Sequence, residues 1–588
     1  MQLKPDLQKR KSKPPLKPRS DLSRRSAEEC AEIAAVSLAE TLRRPGTANH
    51  LDKGQRTYYS YAPLQLKIRD SGTSAPTDKV IDEYSSQTLR EAGGMAILLE
   101  NATLVTLDPQ RPVLEGQHLL VDRGVIAGVG KQIKPGGFAV EKRLDCSGKI
   151  VMPGLVNAHS HLVEILQRSF RDNVRMEVWR EYRMLTEEKA HLTTEEINAA
   201  AKLACGEMLK NGVTAVVDHF SPRSAVQSAQ MEAILEAFET TGIRGALAPA
   251  LRDQDFVRLI GSPLKGKNLR QRRSHQPWQE GVRRLLEHEK RPGKTWTLML
   301  GPSNPLNCSD SMLKEVVRMA EEQDLGIHTH LLETRLQGWG ASRIYRKGVV
   351  RRMDRLGLLS PRLSAAHCIW LDEKETDLLA ARGASVVHSP ASNLKLGSGI
   401  AAVARMKKKG VNVALGTDGG DTSDTYCIFE QMKLAALLSR ITEKDPRDWV
   451  TARDALEMGT INGARAVPAW RGKTGAIKVG YRADLLILKP RLSLEPLNDV
   501  IHQLVFCQAG RCVETVLVDG EIVVAEGRLT RMDEETLIQR VGETSKKMFR
   551  LYRSIKKRSG KGTSAIEALY DRVRWKTLRA RHTCESDG

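Results

Sequence analysis

Pro153-Gly154-Leu155-Val156-Asn157-Ala158-His159-Ser160-His161 is the stretch on which the reading of this chain turns. It continues the apolar run Ile150-Val151-Met152 and ends in two histidines separated by one residue. On an extended segment a period of two puts both imidazoles on one face. In a barrel strand that face is the interior, and the C-terminal end opens into the mouth, where both rings can reach one ion at about 2.0 to 2.1 Å. Alone, the pattern fits two hydrogen-bonded loop histidines equally well, so the rest of the chain has to decide.

Working outward, eight β-rich runs end in polar residues, most of them followed by a helical pattern. They are Ile150 to Val156, Val213 to Val217, Gly242 to Ala248, Thr295 to Leu300, Leu325 to His330, Leu363 to His367, Ala384 to His388 and Val411 to Thr417. Eight strand-then-helix units are the count of a TIM barrel. Ahead of them stand the strand patterns Ala96 to Leu107, His118 to Val121 and Val125 to Val129. Past Gly475 come Ala483 to Leu488, Val505 to Ala509, Cys512 to Val518 and Glu521 to Val524, with turns such as Asp519-Gly520. The expected architecture is α/β, a (β/α)8 TIM barrel with a small β-sandwich domain built from segments before and after the barrel. The expected division is 1–94 a basic, disordered extension, 95–149 and 475–539 the two parts of the sandwich, 150–474 the barrel, and 540–588 a basic helical tail docked through Met548, Leu551 and Tyr552.

The other barrel strands converge on the same rim. Strand five ends His328-Thr329-His330-Leu331-Leu332-Glu333, strand six ends Ala366-His367, and strand eight ends Thr417-Asp418-Gly419. Buried strand ends otherwise favour apolar side chains, so His330 and His367, an acid and an Asp gathered at one rim with the first two histidines point to a metal site.

Composition narrows the function class. Net charge is +21, with 92 Lys and Arg against 71 Asp and Glu. Residues 1–94 carry +5, 252–295 carry +7 and 540–588 carry +9, which leaves the rest neutral with 49 charges of each sign. The basicity therefore belongs to two ends and one insertion, and any polyanion contact is peripheral to the chemistry. Basic tails without interleaved aromatics also argue against nucleic acid, and a non-catalytic nucleic-acid-binding protein remains only as a remote alternative. No apolar run approaches the roughly 18 residues of a membrane span. Nine scattered cysteines without a C-x-x-C pair or secretory signal read as a reduced, cytoplasmic protein. In the extension, Glu28, Glu29, Glu32 and Glu40 count against a transit peptide, and Met95 is a candidate start.

These motifs resemble the amidohydrolase superfamily, in the branch of adenosine-derivative and guanine deaminases and triazine hydrolases. The resemblance covers roughly Met95 to Gln539 and rests on P-G-L-V-N-A-H-S-H, G-V-T-A-V-V-D-H, H-L-L-E-T, A-A-H-C, H-S-P-A-S-N-L-K-L-G-S-G, G-V-N-V-A-L-G-T-D-G and V-G-Y-R-A-D-L-L-I-L. It implies that His159, His161, His330 and Asp418 are metal ligands, Glu333 a proton shuttle, and His367 the histidine that orients the attacking hydroxide and polarises the substrate. Asp418 would touch metal and water together and accept the proton. Such a donor set suits zinc and also accommodates iron. Binuclear relatives use a carboxylated lysine on strand four, and Trp296 to Pro302 contains none, which implies one divalent ion per chain.

The implied activity is hydrolytic release of ammonia from an N-heterocycle such as a purine or adenosine derivative, pyrimidine, pterin or triazine. The alternative within the fold is a triazine-type hydrolase that displaces an alkylamine or chloride. The implied partners are a small heterocyclic substrate and a second copy of the chain in a homodimer. Trp179, His219, His388 and Asn393 are candidate substrate-binding residues. For His219 the competing reading is a satisfied rim histidine, and for Ser392, Asn393 and Lys395 it is a structural turn. His388 stands where many relatives carry Asn. His328 shares a face with His330 and is assigned behind the ligands. Arg168, Arg171 and Arg175 read as a solvated helix face or as anion binders, and Lys265, Lys267, Arg270, Arg272 and Arg273 as a surface loop or a lid over the mouth.

Overall fold

The computed structural model describes residues 96–133, 140–221, 228–256, 278–289, 294–507 and 509–558, with Ile566 and Tyr570. They belong to one compact unit, Ser86–Gly588; the other, Met1–Ser85, lies outside them. The expected disordered extension, the lysines and arginines between 265 and 273, and most of the chain beyond 558 also fall outside the described residues.

The barrel staves are β6 (Leu155–His161), β7 (Val213–Asp218), β8 (Arg244–Leu247), β10 (Trp296–Pro302), β11 (Gly326–Leu331), β12 (Leu363–His367), β13 (Ser385–His388) and an eighth in two pieces, β14 (Asn412–Leu415) and β15 (Asp418–Gly419). β14 pairs with β13 while β15 pairs in parallel with β6, Asp418 opposite Ser160, so the eighth stave closes the ring. The short β9 (Ala250–Leu251) adds to β10. Asn157 ties the seam, its Nδ2 donating to Thr417 Oγ1 at 2.7 Å while its Oδ1 accepts from the Thr417 amide at 3.0 Å. This is the TIM-barrel architecture expected from the eight strand-then-helix units.

Both ends of the chain build a second sheet. β1 (Ala96–Val105), β2 (Val113–Asp122), β3 (Val125–Gly130), β4 (Val140–Asp145) and β5 (Ile150–Pro153) join β16 (Leu485–Leu488), β17 (Val513–Val518), β18 (Glu521–Ala525) and β19 (Arg528–Leu529), with β16 antiparallel to β5. β16 explains its own sequence. Leu485 and Ile487 pack into the core of this sheet and Leu486 and Leu488 into the main core, so both faces are buried and Leu-Leu-Ile-Leu is apolar throughout.

Two elements differ from the sequence reading. The run Ile150 to Val156 is two strands: Ile150–Pro153 pairs with β1 and β16, and only Leu155 onward belongs to the barrel. Gly154 marks the crossing, because a Cβ there would stand 2.0 Å from Thr214 Oγ1. Of Val505 to Ala509, expected as a strand, Val505 and Phe506 end a helix, Val500–Phe506, capped by Asp499, whose side chain accepts from the His502 amide, and Ala509 opens a 3-10 turn, Ala509–Cys512. The apolar pair Leu504-Val505 faces the core from that helix, and short apolar runs carry no period that separates the two states.

The tail helix Glu534–Arg558 buries Val541, Met548, Tyr552 and Ile555 against the Leu162–Gln167 turn and the helices Met176–Ala190 and Thr194–Lys210. Each such side chain contributes roughly 1.5–3 kcal/mol. The Tyr552 ring stacks 5.8 Å from Phe170 with Arg171 over its face, and Ser545 Oγ donates to the Leu166 carbonyl. The tail thus braces the segment that follows the two histidines of β6. Among the described residues no helix is long and apolar enough to cross a membrane.

Candidate metal centre

His159 and His161 on β6, His328 and His330 on β11, His367 on β12 and Asp418 on β15 meet at the C-terminal mouth of the barrel. His367 and Asp418 hold left-handed backbone angles, φ 70° and 64°. Such conformations cost of order 1–3 kcal/mol each and persist where the surroundings over-determine them. Gly416 lets the eighth stave approach, since a Cβ there would lie 2.7 Å from that of His159.

Hydrogen bonds set which nitrogens are free. His161 Nδ1 donates to the His219 carbonyl and His330 Nδ1 to the Ser303 carbonyl, each at 2.7 Å. A carbonyl only accepts, so in both neutral rings the lone pair is on Nε2. Those two Nε2 atoms lie 3.2 Å apart with no proton to share. His159 is set by a longer relay. Ser364 Oγ donates to the Ile327 carbonyl and accepts from His328 Nδ1, so His328 Nε2 accepts from His159 Nδ1 at 2.8 Å. His159 Nε2 is left buried without a hydrogen-bond partner. Asp418 Oδ1 lies 3.5 Å from His159 Nε2 and 3.4 Å from His161 Nε2. Facing lone pairs repel unless a cation stands between them. Two nitrogens bound tetrahedrally at about 2.0–2.1 Å lie roughly 3.3–3.4 Å apart, so these spacings fit a divalent ion.

A prediction arises here. His328→Phe leaves the His159 Nδ1 proton without an acceptor and frees the ring to turn. Metal affinity, measured by competition with a chelator, is expected to fall about 10–100-fold. Unchanged affinity would exclude a ligand role for His159 Nε2.

Electrostatics agree with that proton placement. Burial pulls His159 down to about 4, with Asp418 opposing, and holds His219, His328 and His330 well below the ordinary range, mutual repulsion among the rings adding to it. Neutral imidazole is the ligating form. Burial alone would raise Asp418, but the surrounding rings, His159 first and then His161 and His367, outweigh it and hold the carboxyl well below its usual range. Its Oδ2 accepts from Ser392 Oγ at 2.6 Å and its Oδ1 from the Gly419 amide. Glu333 behaves oppositely. Only 6% exposed, it is pushed up to about 7 chiefly by burial; Asp418 and Glu177 add to the rise, and His367 opposes it. Its amide donates to Gln337 Oε1 at 3.0 Å.

The remaining expected residues fall in different layers. His367 donates from Nδ1 to Asn393 Oδ1 at 2.9 Å, leaving a buried, unpartnered Nε2 4.0 Å from Asp418 Oδ2. Asn393 therefore orients a histidine. His219 is fully buried, its carbonyl holding His161 and its Nε2 facing the Gly301 carbonyl at 3.3 Å. His388 is buried and drawn down to about 3 by burial, with His367 adding to it. Trp179 donates from Nε1 to Asp421 Oδ2 at 3.0 Å and packs with Met176 and Leu396. Arg171 is neither a solvated residue nor an exposed anion binder: its side chain is 0% exposed and paired with Asp421 at 2.7 Å. Sequence reasoning missed the outer layer, Ser303, Ser364, Gln337 and Glu177. Ser303 acts, like His219, through its backbone carbonyl, which every residue carries, so no residue type announces that part.

The model of the Amidohydrolase family matches residues 150–523. A 5'-deoxyadenosine deaminase of Methanosarcina mazei is 33% identical over 457 residues, 77% of this chain and 98% of that one. A 5-methylthioadenosine/S-adenosylhomocysteine deaminase of Dictyoglomus turgidum is 33% identical over 471 residues, 79% of this chain and all of the relative. Among solved structures, a zinc-bound adenosine deaminase from Xanthomonas campestris superposes with a TM-score of 0.69 at 27% identity, covering 77% of this chain and 98% of its own. The zinc complex of an atrazine chlorohydrolase from Arthrobacter aurescens superposes with a TM-score of 0.70 at 25% identity, covering 76% of this chain and all of its own.

Proposed function

The chain belongs to the amidohydrolase family, and on that premise we propose that it deaminates an adenosine derivative, with His159, His161, His330 and Asp418 holding one zinc ion. It is a metal-dependent hydrolase acting on carbon–nitrogen bonds. The observation that carries the site assignment is the proton placement. Three Nε2 lone pairs are each fixed by an acceptor behind the ring, those of His161 and His330 lie 3.2 Å apart, those of His159 and His161 lie within 3.5 Å of the ionised Asp418, and a protonatable Glu333 stands on the same rim.

When bound, the ion supplies Lewis-acid activation of water at neutral pH. The chain's own groups do the rest. Asp418, ionised and steadied by Ser392, accepts a proton from the attacking water. His367, its Nδ1 proton committed to Asn393, offers Nε2 to that water and holds it toward the ring carbon. Glu333 delivers its proton to the ring nitrogen as the C–O bond forms, regains the proton that Asp418 took from the water and gives it to the departing amine, and takes up the remaining hydroxyl proton as the C=O bond forms. The C–N bond breaks, ammonia leaves and an oxo product remains. The adenosine-deaminating relatives at 33% identity favour this reading over displacement of chloride or an alkylamine, whose structural counterparts stand at 25%.

The test is ammonia release across adenosine, 5'-deoxyadenosine, methylthioadenosine, S-adenosylhomocysteine, aminopyrimidines, pterins and aminotriazines, with metal content measured on the same preparation. Release from the adenosine set with about one metal per chain is the expected result. Silence on that set beside turnover of a chlorotriazine would replace this reading with the alternative.

A further inference from the structure

The tail does more than cover the barrel. Ile566 and Tyr570, four residues apart, are both helical and buried, and they lie beyond the stretch 150–523 matched by the family. The Tyr570 hydroxyl donates to Glu177 Oε2 at 2.7 Å. Glu177 is in the first turn of the helix Met176–Ala190, two residues before Trp179. Its other oxygen, Oε1, accepts from Thr334 Oγ1 at 2.6 Å. Thr334 directly follows Glu333 and caps the helix Arg335–Ile344, accepting from the Gln337 amide at 3.2 Å. Gln337 in turn accepts from the Glu333 amide, so a continuous line of hydrogen bonds runs from the tail to the proposed proton shuttle. The Tyr570 ring is flanked by the guanidinium carbons of Arg175 at 4.4 Å and Arg335 at 5.7 Å, one at the start of each of these two helices.

We infer that Tyr570 is a positioning residue for the reaction, pinning through Glu177 the start of the helix that carries Trp179 to the loop that carries Glu333. The inference rests on the reading of Glu333 as the proton shuttle. The chemistry of the three groups favours it. A buried carboxylate needs donors on both oxygens, and Thr334 and Tyr570 supply one each. Burial, and then the Glu177 charge, push the phenol well up from its ordinary value, so the hydroxyl stays protonated and donates to the carboxylate. Without Tyr570, one oxygen of Glu177 loses its donor beside the residue that must hold its geometry through two proton transfers. Small misplacements of such a group are costly: about 1 Å can lose on the order of a hundredfold in rate.

The test uses the full-length, metal-loaded protein. Tyr570→Phe keeps the ring between the two arginines and removes only the donor. Its kcat per bound metal is expected to fall roughly tenfold with KM changed less than about threefold, because the hydrogen bond it removes serves the transition state rather than ground-state binding. Glu177→Gln is expected to cause a comparable or larger loss, and Tyr570→Phe in that background to add nothing further. A wild-type kcat in Tyr570→Phe, even with a lowered melting temperature, would overturn the inference by making the hydrogen bond purely structural. Losses that multiply in the double variant would overturn it too, since Tyr570 would then not act through Glu177. Glu333→Gln run in parallel separates the two levels: an inactive Glu333→Gln beside a fully active Tyr570→Phe refutes the inference alone, whereas a fully active Glu333→Gln removes the shuttle on which it rests.

Discussion

Glu333→Gln is expected to abolish useful turnover, lowering kcat by about 10²–10⁴-fold, while the metal content stays that of the wild type. The amide keeps the volume of the side chain and can retain the contact with Gln337, but it has no proton to exchange with a ring nitrogen or a departing amine. Metal retention is the discriminating half of the result, because Glu333 is outside every cluster of side chains, among the described residues, close enough to share an ion. Equal loss of metal and activity would make it a ligand and end its assignment as a shuttle. Its titration adds a second check. A carboxyl raised to about 7 by burial carries its proton below that pH and loses it above. Wild-type kcat should therefore fall as pH rises through about 7, and the residual rate of Glu333→Gln should lack that limb. A limb that instead rises through the same range would assign Glu333 as a base in the slow step.

Asp418→Ala is expected to lose metal and activity together. The substitution removes the carboxylate that lies within 3.5 Å of both His159 Nε2 and His161 Nε2, strands the Ser392 hydroxyl, and leaves the facing lone pairs without an anion. Losing an orienting partner behind a ligand typically costs 10–100-fold in affinity, and losing a ligand should cost more, so affinity should fall by more than about 100-fold. Turnover is expected to fall further than metal occupancy, because the proposed acceptor of water's proton goes with it. Metal analysis after dialysis, beside kcat in excess zinc, measures both. A variant that recovers full activity in excess zinc would confine Asp418 to binding and move the base to another group, His367 being the nearest candidate by its 4.0 Å approach.

The barrel was legible in the sequence because its signals are local. Eight apolar runs ending in polar residues, a period of two that turns His159 and His161 to one side, and an Asp after the last run each need only a few neighbouring residues to be recognised. The same locality explains the failures. Val505 to Ala509 is short and apolar, and the helical cap that claims Val505 is provided by Asp499, outside the run itself. Ile150 to Val156 reads as one strand, yet Gly154 passes it from one sheet to another because of the Thr214 side chain, distant in sequence.

In the site, residue types determined the composition: which histidines and acids gather at the mouth was readable, and the hydrogen bond of His328 to His159 accords with the place behind the proposed ligands expected for it. Tertiary structure alone decided how each is held. The carbonyls of His219 and Ser303, the Ser364–His328–His159 relay and the grip of Asn393 on His367 come from strands and loops far apart in the chain. The burial that lifts Glu333 and lowers His159 is likewise a property of the closed barrel. Arg171, read from its neighbours as one of a charged run, is an internal ion pair with Asp421, and Tyr570, unremarkable in a basic tail, is bonded to Glu177. Local sequence carries side-chain chemistry and period; proton placement, desolvation and long-range pairing are set by which backbone and side-chain atoms the fold brings within about 3 Å of one another.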